Sequence, residues 1–156
     1  MTALLVIQVL HIMSGTIWIC SFLFIYFILW PSFVNSNSAE ALTIKNNLKK
    51  PIRNILGVAG IISISLGFVR GIFFGGVNSF HSLRDPYGRT FLAAAIVSLV
   101  MLVIGRFFGH NLVAIPWNTE AEKKNTLIRI YSAGIFILIC YSLLIFCMVA
   151  MRFGGI

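Results

Sequence analysis

Charge is what this sequence has least of: charged residues make up 10% of its 156, and only four are acidic, Glu40, Asp85, Glu120 and Glu122. Soluble globular domains carry roughly 25% charged residues, so water is excluded as the solvent for most of the chain. All four acids fall in predicted loops, which leaves no embedded carboxylate for a proton relay or a hard metal ion. There is also no nucleotide-binding loop, Ser-His-Asp arrangement or paired-carboxylate site, so hydrolysis and phosphoryl transfer are disfavoured and a non-enzymatic role is expected. Cysteine is scarce too. Cys20, Cys140 and Cys147 all fall in apolar segments and build no extracellular disulfide framework.

What the chain has in quantity is apolar sequence, 59% of its residues, with a mean hydropathy of +0.97. Crossing a hydrocarbon core of about 30 Å takes about 20 apolar residues at a rise of 1.5 Å each. Segments 4–30, 54–75, 90–113 and 129–151 meet that length. Apolar runs of this length can satisfy their backbone amides in lipid only as helices, whereas barrel strands would alternate over about ten residues. The expected fold is all-α, a single integral membrane domain over residues 1–156 forming an antiparallel, up-down four-helix bundle. The first segment is read as a permanent helix rather than a secretory signal, because it is long, has no Lys or Arg before it and ends at Trp30-Pro31.

A formal charge of +8 would suggest nucleic acid for a soluble protein. Here the basic residues flank membrane helices, so anionic lipid headgroups are the expected partner and nucleic acid is not. Lys45, Lys49, Lys50 and Arg53 lie in the first loop, and Lys123, Lys124 and Arg129 flank the third; the opposite side holds Arg70, Arg84, Arg89 and Arg152. The positive-inside tendency makes the first and third loops cytoplasmic and puts both termini on the outer side of a cell membrane. Trp30 and Trp117 then fall at the cytoplasmic boundary, where amphipathic rings rest. Residues 31–51 read as a connector with a short surface helix, and Asp85-Pro86-Tyr87-Gly88 as a turn directly before the third span.

Helix association in lipid depends on close packing. Ser63, Gly67, Gly71 and Gly75 form a small-residue ridge at four-residue spacing, and Ala94 with Ser98 and Gly105 with Gly109 supply another. The second and third spans are therefore expected to pack together.

Candidate chemistry is confined to a few polar and soft side chains. His11, Gly15, Trp18 and Phe22 share one stripe of the first span, with His11 roughly 10 Å below its outer end. A membrane-embedded histidine is a functional candidate, or else an interhelical hydrogen-bonding group. Arg106 and His110 share a face of the third span, about 20 Å in depth from His11, so one haem bridging the two histidines is not expected. Arg70 is placed to reach the interface or to pair with Asp85. Cys140, Cys147 and Met151 fall within about 40° of one face of the last span. Such thiols and thioethers suit Cu(I) or serve as ordinary apolar filling, and Cys147, Met151, His11 and the outer-loop His81 form the candidate metal set.

Leu10-His11-Ile12 with Trp18, Arg53 opening a glycine-rich helix with Leu66-Gly67, and Asp85-Pro86-Tyr87-Gly88-Arg89 leading to Gly105-Arg106 together resemble the copper resistance D (CopD-like) family of membrane proteins. The likeness covers roughly residues 4–111. It implies copper binding or transport across the membrane, often beside a periplasmic or extracellular copper-binding partner. His11 and Trp18 also look like the four-helix HemJ-type protoporphyrinogen oxidases. Both families usually carry a lysine early in the third helix, where this chain reads Phe91-Leu92-Ala93-Ala94-Ala95. Haem binding or porphyrin oxidation therefore ranks behind copper. A reading of a different class is a non-catalytic subunit of a larger membrane enzyme, such as a respiratory or copper-dependent oxidase or monooxygenase, packed against other membrane subunits.

Overall fold

A computed structural model describes residues 2–36, 38–113 and 119–156, with side chains described for all of these except 39 and 106–113. The described residues are helical almost throughout. Helix α1 (Thr2–Phe24) passes through a π-helical turn (Ile25–Leu29) into α2 (Trp30–Ser36), forming one continuous rod. Helix α3 spans Ala39–Phe73, α4 Pro86–Val113 and α5 Glu120–Arg152, with a short 3-10 turn at Ser82–Arg84 before α4. Four helical stretches, Thr2–Ser36, Glu40–Phe73, Pro86–Gly105 and Glu120–Arg152, are long and apolar enough to cross a membrane.

The helices begin before the expected boundaries because apolar length sets where a span can lie, whereas capping sets where a helix starts; α3 ends at Phe73, two residues short of the expected end, and α4 ends at Val113 as expected. The connector 31–51 is mostly helix. Ser38 caps α3 by accepting from the Ala41 amide at 3.1 Å, and α3 continues through Pro51 into its apolar segment. Helix α5 begins at Glu120 instead of 129, since Thr119 and Glu122 form a reciprocal capping box ahead of the charged first turns. Pro86 occupies the first position of α4, where its missing N–H costs nothing, so the expected turn motif is the start of a helix. A Cβ at Gly88 would strike the Ser82 carbonyl and the Leu83 backbone, and its absence lets the 3-10 turn fold down onto that first turn of α4.

Contacts between the rods are antiparallel. His11 meets Gly67 while Trp18, seven residues later, meets Gly60; Gly71 and Gly75 meet Phe91 and Tyr87; the amide of Ile156 donates to Thr90 Oγ1 at 2.9 Å. Trp18 lies edge-on to Tyr141, and Gly134 receives Phe27 and Tyr26 of the first rod. These pairings make an up-down bundle with its two chain ends on one side. Its core centres on Trp18, Phe22, Tyr26, Trp30 and Val34 from the first rod, Met101 from α4, and Ile130, Ile137, Tyr141 and Leu144 from α5. Trp30 is thus packed in the core, 6% exposed; Trp117 lies outside the described residues. The remaining faces carry exposed apolar side chains, among them Leu5, Ile61, Val103 and Phe146, a surface whose natural solvent is lipid.

The small-residue ridge of α3 serves two neighbours instead of one. A Cβ at Gly60 would fall 2.8 Å from the Trp18 indole and one at Gly67 3.1 Å from the His11 ring, so this half of the ridge receives α1. Gly71 and Gly75 receive Phe91 and Tyr87, so only the last two turns pack on α4 as expected. On α4, Gly105 accommodates Phe22 of α1. Five rings, those of Trp18, His11, Phe91, Tyr87 and Phe22, therefore set the helix spacing.

Candidate intramembrane site

The ring of His11 is fixed by the local geometry of α3. Its Nδ1 lies 2.9 Å from the backbone carbonyl of Ser63. A carbonyl only accepts, so Nδ1 carries the proton and donates, leaving Nε2 with the lone pair in the neutral imidazole. Gly67, one turn beyond Ser63, has no Cβ to hold the ring away. Gly15, one turn along α1 from His11, lets α1 approach Ser63 in the same way, since a Cβ there would be 3.3 Å from Ser63 Oγ. The residue spacing on both helices thus builds one cradle, with His11 9% exposed within it.

Beside that cradle is a cavity of about 70 Å³ walled by all four rods. His11 comes from α1. Ile64, Gly67, Phe68, Arg70 and Gly71 come from α3, Tyr87, Phe91, Ala94, Ala95 and Ser98 from α4, and Leu144, Met148 and Met151 from α5. Phe68 and Phe91 meet edge to face, with centroids 5.6 Å apart, and close one wall. Ser98 donates its hydroxyl to the Ala94 carbonyl at 2.8 Å, so its proton is used within its own helix. The cavity is therefore mostly apolar, with an imidazole nitrogen, two thioethers, a guanidinium and a phenol as its chemistry.

Of the candidate metal set, His11 and Met151 share the cavity wall. Cys147 does not line it and is buried, as is Cys140, among the α5 residues that face the core. His81 is exposed in the loop before the 3-10 turn and also stays away from the wall. Met148 takes the place expected for Cys147, because the stripe of α5 that reaches the cavity runs Leu144, Met148, Met151 and not Cys140, Cys147, Met151. Among the described residues no three His, Cys, Asp or Glu side chains converge, so a metal held here would depend on the two thioethers beside one imidazole. Arg106 and His110 belong to α4, with side chains outside those described. Arg70 makes no ion pair with Asp85, which is exposed; its place on the cavity wall, like that of Tyr87, was not legible from helical spacing alone. The signal that could have found Tyr87 is Gly75, whose missing Cβ leaves the space its hydroxyl occupies. Searches against protein-family models, curated proteins and solved structures find no match to this chain.

Proposed function

We propose that this is a multi-pass membrane protein of the cell membrane that binds copper(I), and passes it, at the cavity shared by His11, Met148 and Met151. The observation that carries the reading is the Nδ1 to Ser63 carbonyl hydrogen bond, which fixes the tautomer and leaves Nε2 as a ligand atom. Metal-binding histidines are oriented in this way by a carbonyl or carboxylate on the other ring nitrogen. Thioethers and imidazole are the soft and borderline ligands that favour Cu(I) over hard cations. The likeness to the copper resistance D family points to the same chemistry and adds a periplasmic or extracellular copper-binding protein as the proposed partner. A cavity of about 70 Å³ accommodates an ion and its ligand atoms, whereas pockets for larger ligands begin at roughly 300 Å³; this ranks copper ahead of haem.

The orientation belongs to the same proposal. With the basic loops on the cytoplasmic side, the cavity lies toward the outer leaflet, where His11, Met151 and the start of α4 come together.

Metal analysis of the purified protein loaded anaerobically with Cu(I) tests the reading. Wild type is expected to retain about one equivalent, and His11→Ala to lose it. Met151→Leu weakens binding on the order of tenfold or more, as one soft ligand is removed, while Cys147→Ala leaves it unchanged. Absence of copper from wild type, or equal retention by His11→Ala, would end the proposal.

A further inference from the structure

The cavity wall carries one formal charge, the guanidinium of Arg70, and among the described residues no ion pair to it is found. All four acidic side chains are exposed and none lines the cavity. An ion pair of Lys123 with Glu120, at 3.8 Å, is on the first turn of α5 at the opposite end of the bundle. Arg70 lies one turn before the end of α3, half-buried, about 5 Å along the axis from that end. A cation held against apolar helix walls is costly unless it finds an anion.

Two further observations point to what that anion is and where it sits. Tyr87 lines the same cavity with its hydroxyl set against Gly75, and among the described residues that hydroxyl has no hydrogen-bond acceptor. Arg70 and Tyr87 thus offer the wall's two sets of unused donors, since Ser98 donates within its helix and His11 Nδ1 donates to Ser63. The antiparallel packing also gathers Arg70, Arg84, Arg89 and Arg152 at this end, where Asp85 is the one acidic side chain and Ile156 brings the end of the chain, so the basic groups outnumber the acidic ones and the potential here is positive. His11 contacts Gly67 and Tyr87 contacts Gly75, which separates the imidazole from the phenol by about 12 Å along α3 at 1.5 Å per residue.

We infer that Arg70 and Tyr87 form a site for a small monovalent anion at the mouth of the cavity, outward of His11. A cavity of about 70 Å³ suits a small anion such as a halide, or the phosphate oxygens of one lipid headgroup. The shared chemistry is an anion accepting from a guanidinium and a phenol. If the proposed copper site is correct, this anion offsets the charge of Arg70 as a cation enters, but the anion site stands without it.

The test uses copper-free protein in a non-ionic detergent. Thermal midpoints are measured in sodium gluconate, whose anion is too bulky for the cavity, with increasing sodium bromide at constant ionic strength. The midpoint of wild type rises and saturates, as expected for a ligand that binds only the folded state. Arg70→Gln gives a flat response, and Tyr87→Phe, which keeps the ring and its packing, shifts half-saturation several-fold higher. Native mass spectrometry separates the two sources: a phospholipid retained by wild type, lost from Arg70→Gln and displaced by bromide identifies a lipid phosphate, and a bromide response without retained lipid identifies a free anion. Identical responses to bromide in wild type, Arg70→Gln and Tyr87→Phe, with no difference in retained phospholipid, overturn the inference. Since no metal is present, that failure leaves the copper proposal standing.

Discussion

Single residues decide the chemistry of this protein through backbone groups as much as through side chains. His11 was legible as a candidate because a lone imidazole in an apolar run stands out. Its tautomer was not, because the Ser63 carbonyl that sets it is a main-chain atom 52 residues away. Cys147 and Met151 were legible as soft groups on one face, but a helical wheel cannot say which edge of that face meets a cavity. The structure gives the cavity to Met148 and Met151 and the core to Cys147. Tyr141 shows a cost at the same scale. Its hydroxyl is buried with no hydrogen-bond partner among the described residues, while its ring packs edge-on to Trp18. An unsatisfied buried hydroxyl costs about 1–3 kcal/mol, and Tyr141→Phe removes it while keeping the ring. The variant is expected to unfold at a higher temperature than wild type in the same detergent; a lower midpoint would mean that the hydroxyl has a partner.

At the scale of elements, hydropathy located every span and misplaced most of their ends. Three of the four segments expected from apolar length lie within observed helices, and the second, 54–75, overruns the end of α3 at Phe73 by two residues. Helices α3 and α5 each begin well before their apolar part, because charged residues such as Lys and Glu are also good helix formers. The signal for α5 was present in the sequence as Thr119 followed three residues later by Glu122. Thr119→Ala removes this cap, with an expected cost of about 1 kcal/mol, and fraying is confined to the first turns. Hydrogen exchange should therefore speed up near residues 120–124 and stay unchanged around Ile137; uniform acceleration would show that the cap supports the entire helix. The division of the α3 ridge between two partners was not legible, because small residues announce close approach without saying whose ring comes close.

For the whole molecule, the up-down order follows from paired contacts at both ends of each rod, and the placement of those ends across a membrane is the open part of the proposal. Exposed Ser79 lies in the loop between α3 and α4, and exposed Asn46 lies on the first turns of α3. In a protein whose native cysteines are replaced by alanine, Ser79→Cys is expected to react with an impermeant thiol reagent in intact cells, and Asn46→Cys only after lysis. The reverse pattern would invert the orientation and turn the cavity toward the cytoplasm. The bundle as a class was legible because four apolar runs of this length satisfy their backbone amides as helices. The cavity was not, because it exists only where all four rods fail to close on one another.

The π-helical turn at Ile25–Leu29 governs more than its own five residues. Trp18, Phe22, Tyr26, Trp30 and Val34 are all buried at strict four-residue intervals, and in a pure α-helix each such step overshoots by about 40°. The wider turn works as a vernier that takes up this accumulated rotation. Deleting one residue from it would swing Trp30 and Val34 about 100° around the axis, out of the protein and into the hydrocarbon, while the His11 half of the rod stayed in place. Quenching of Trp30 fluorescence by brominated lipid would report that turn of the screw.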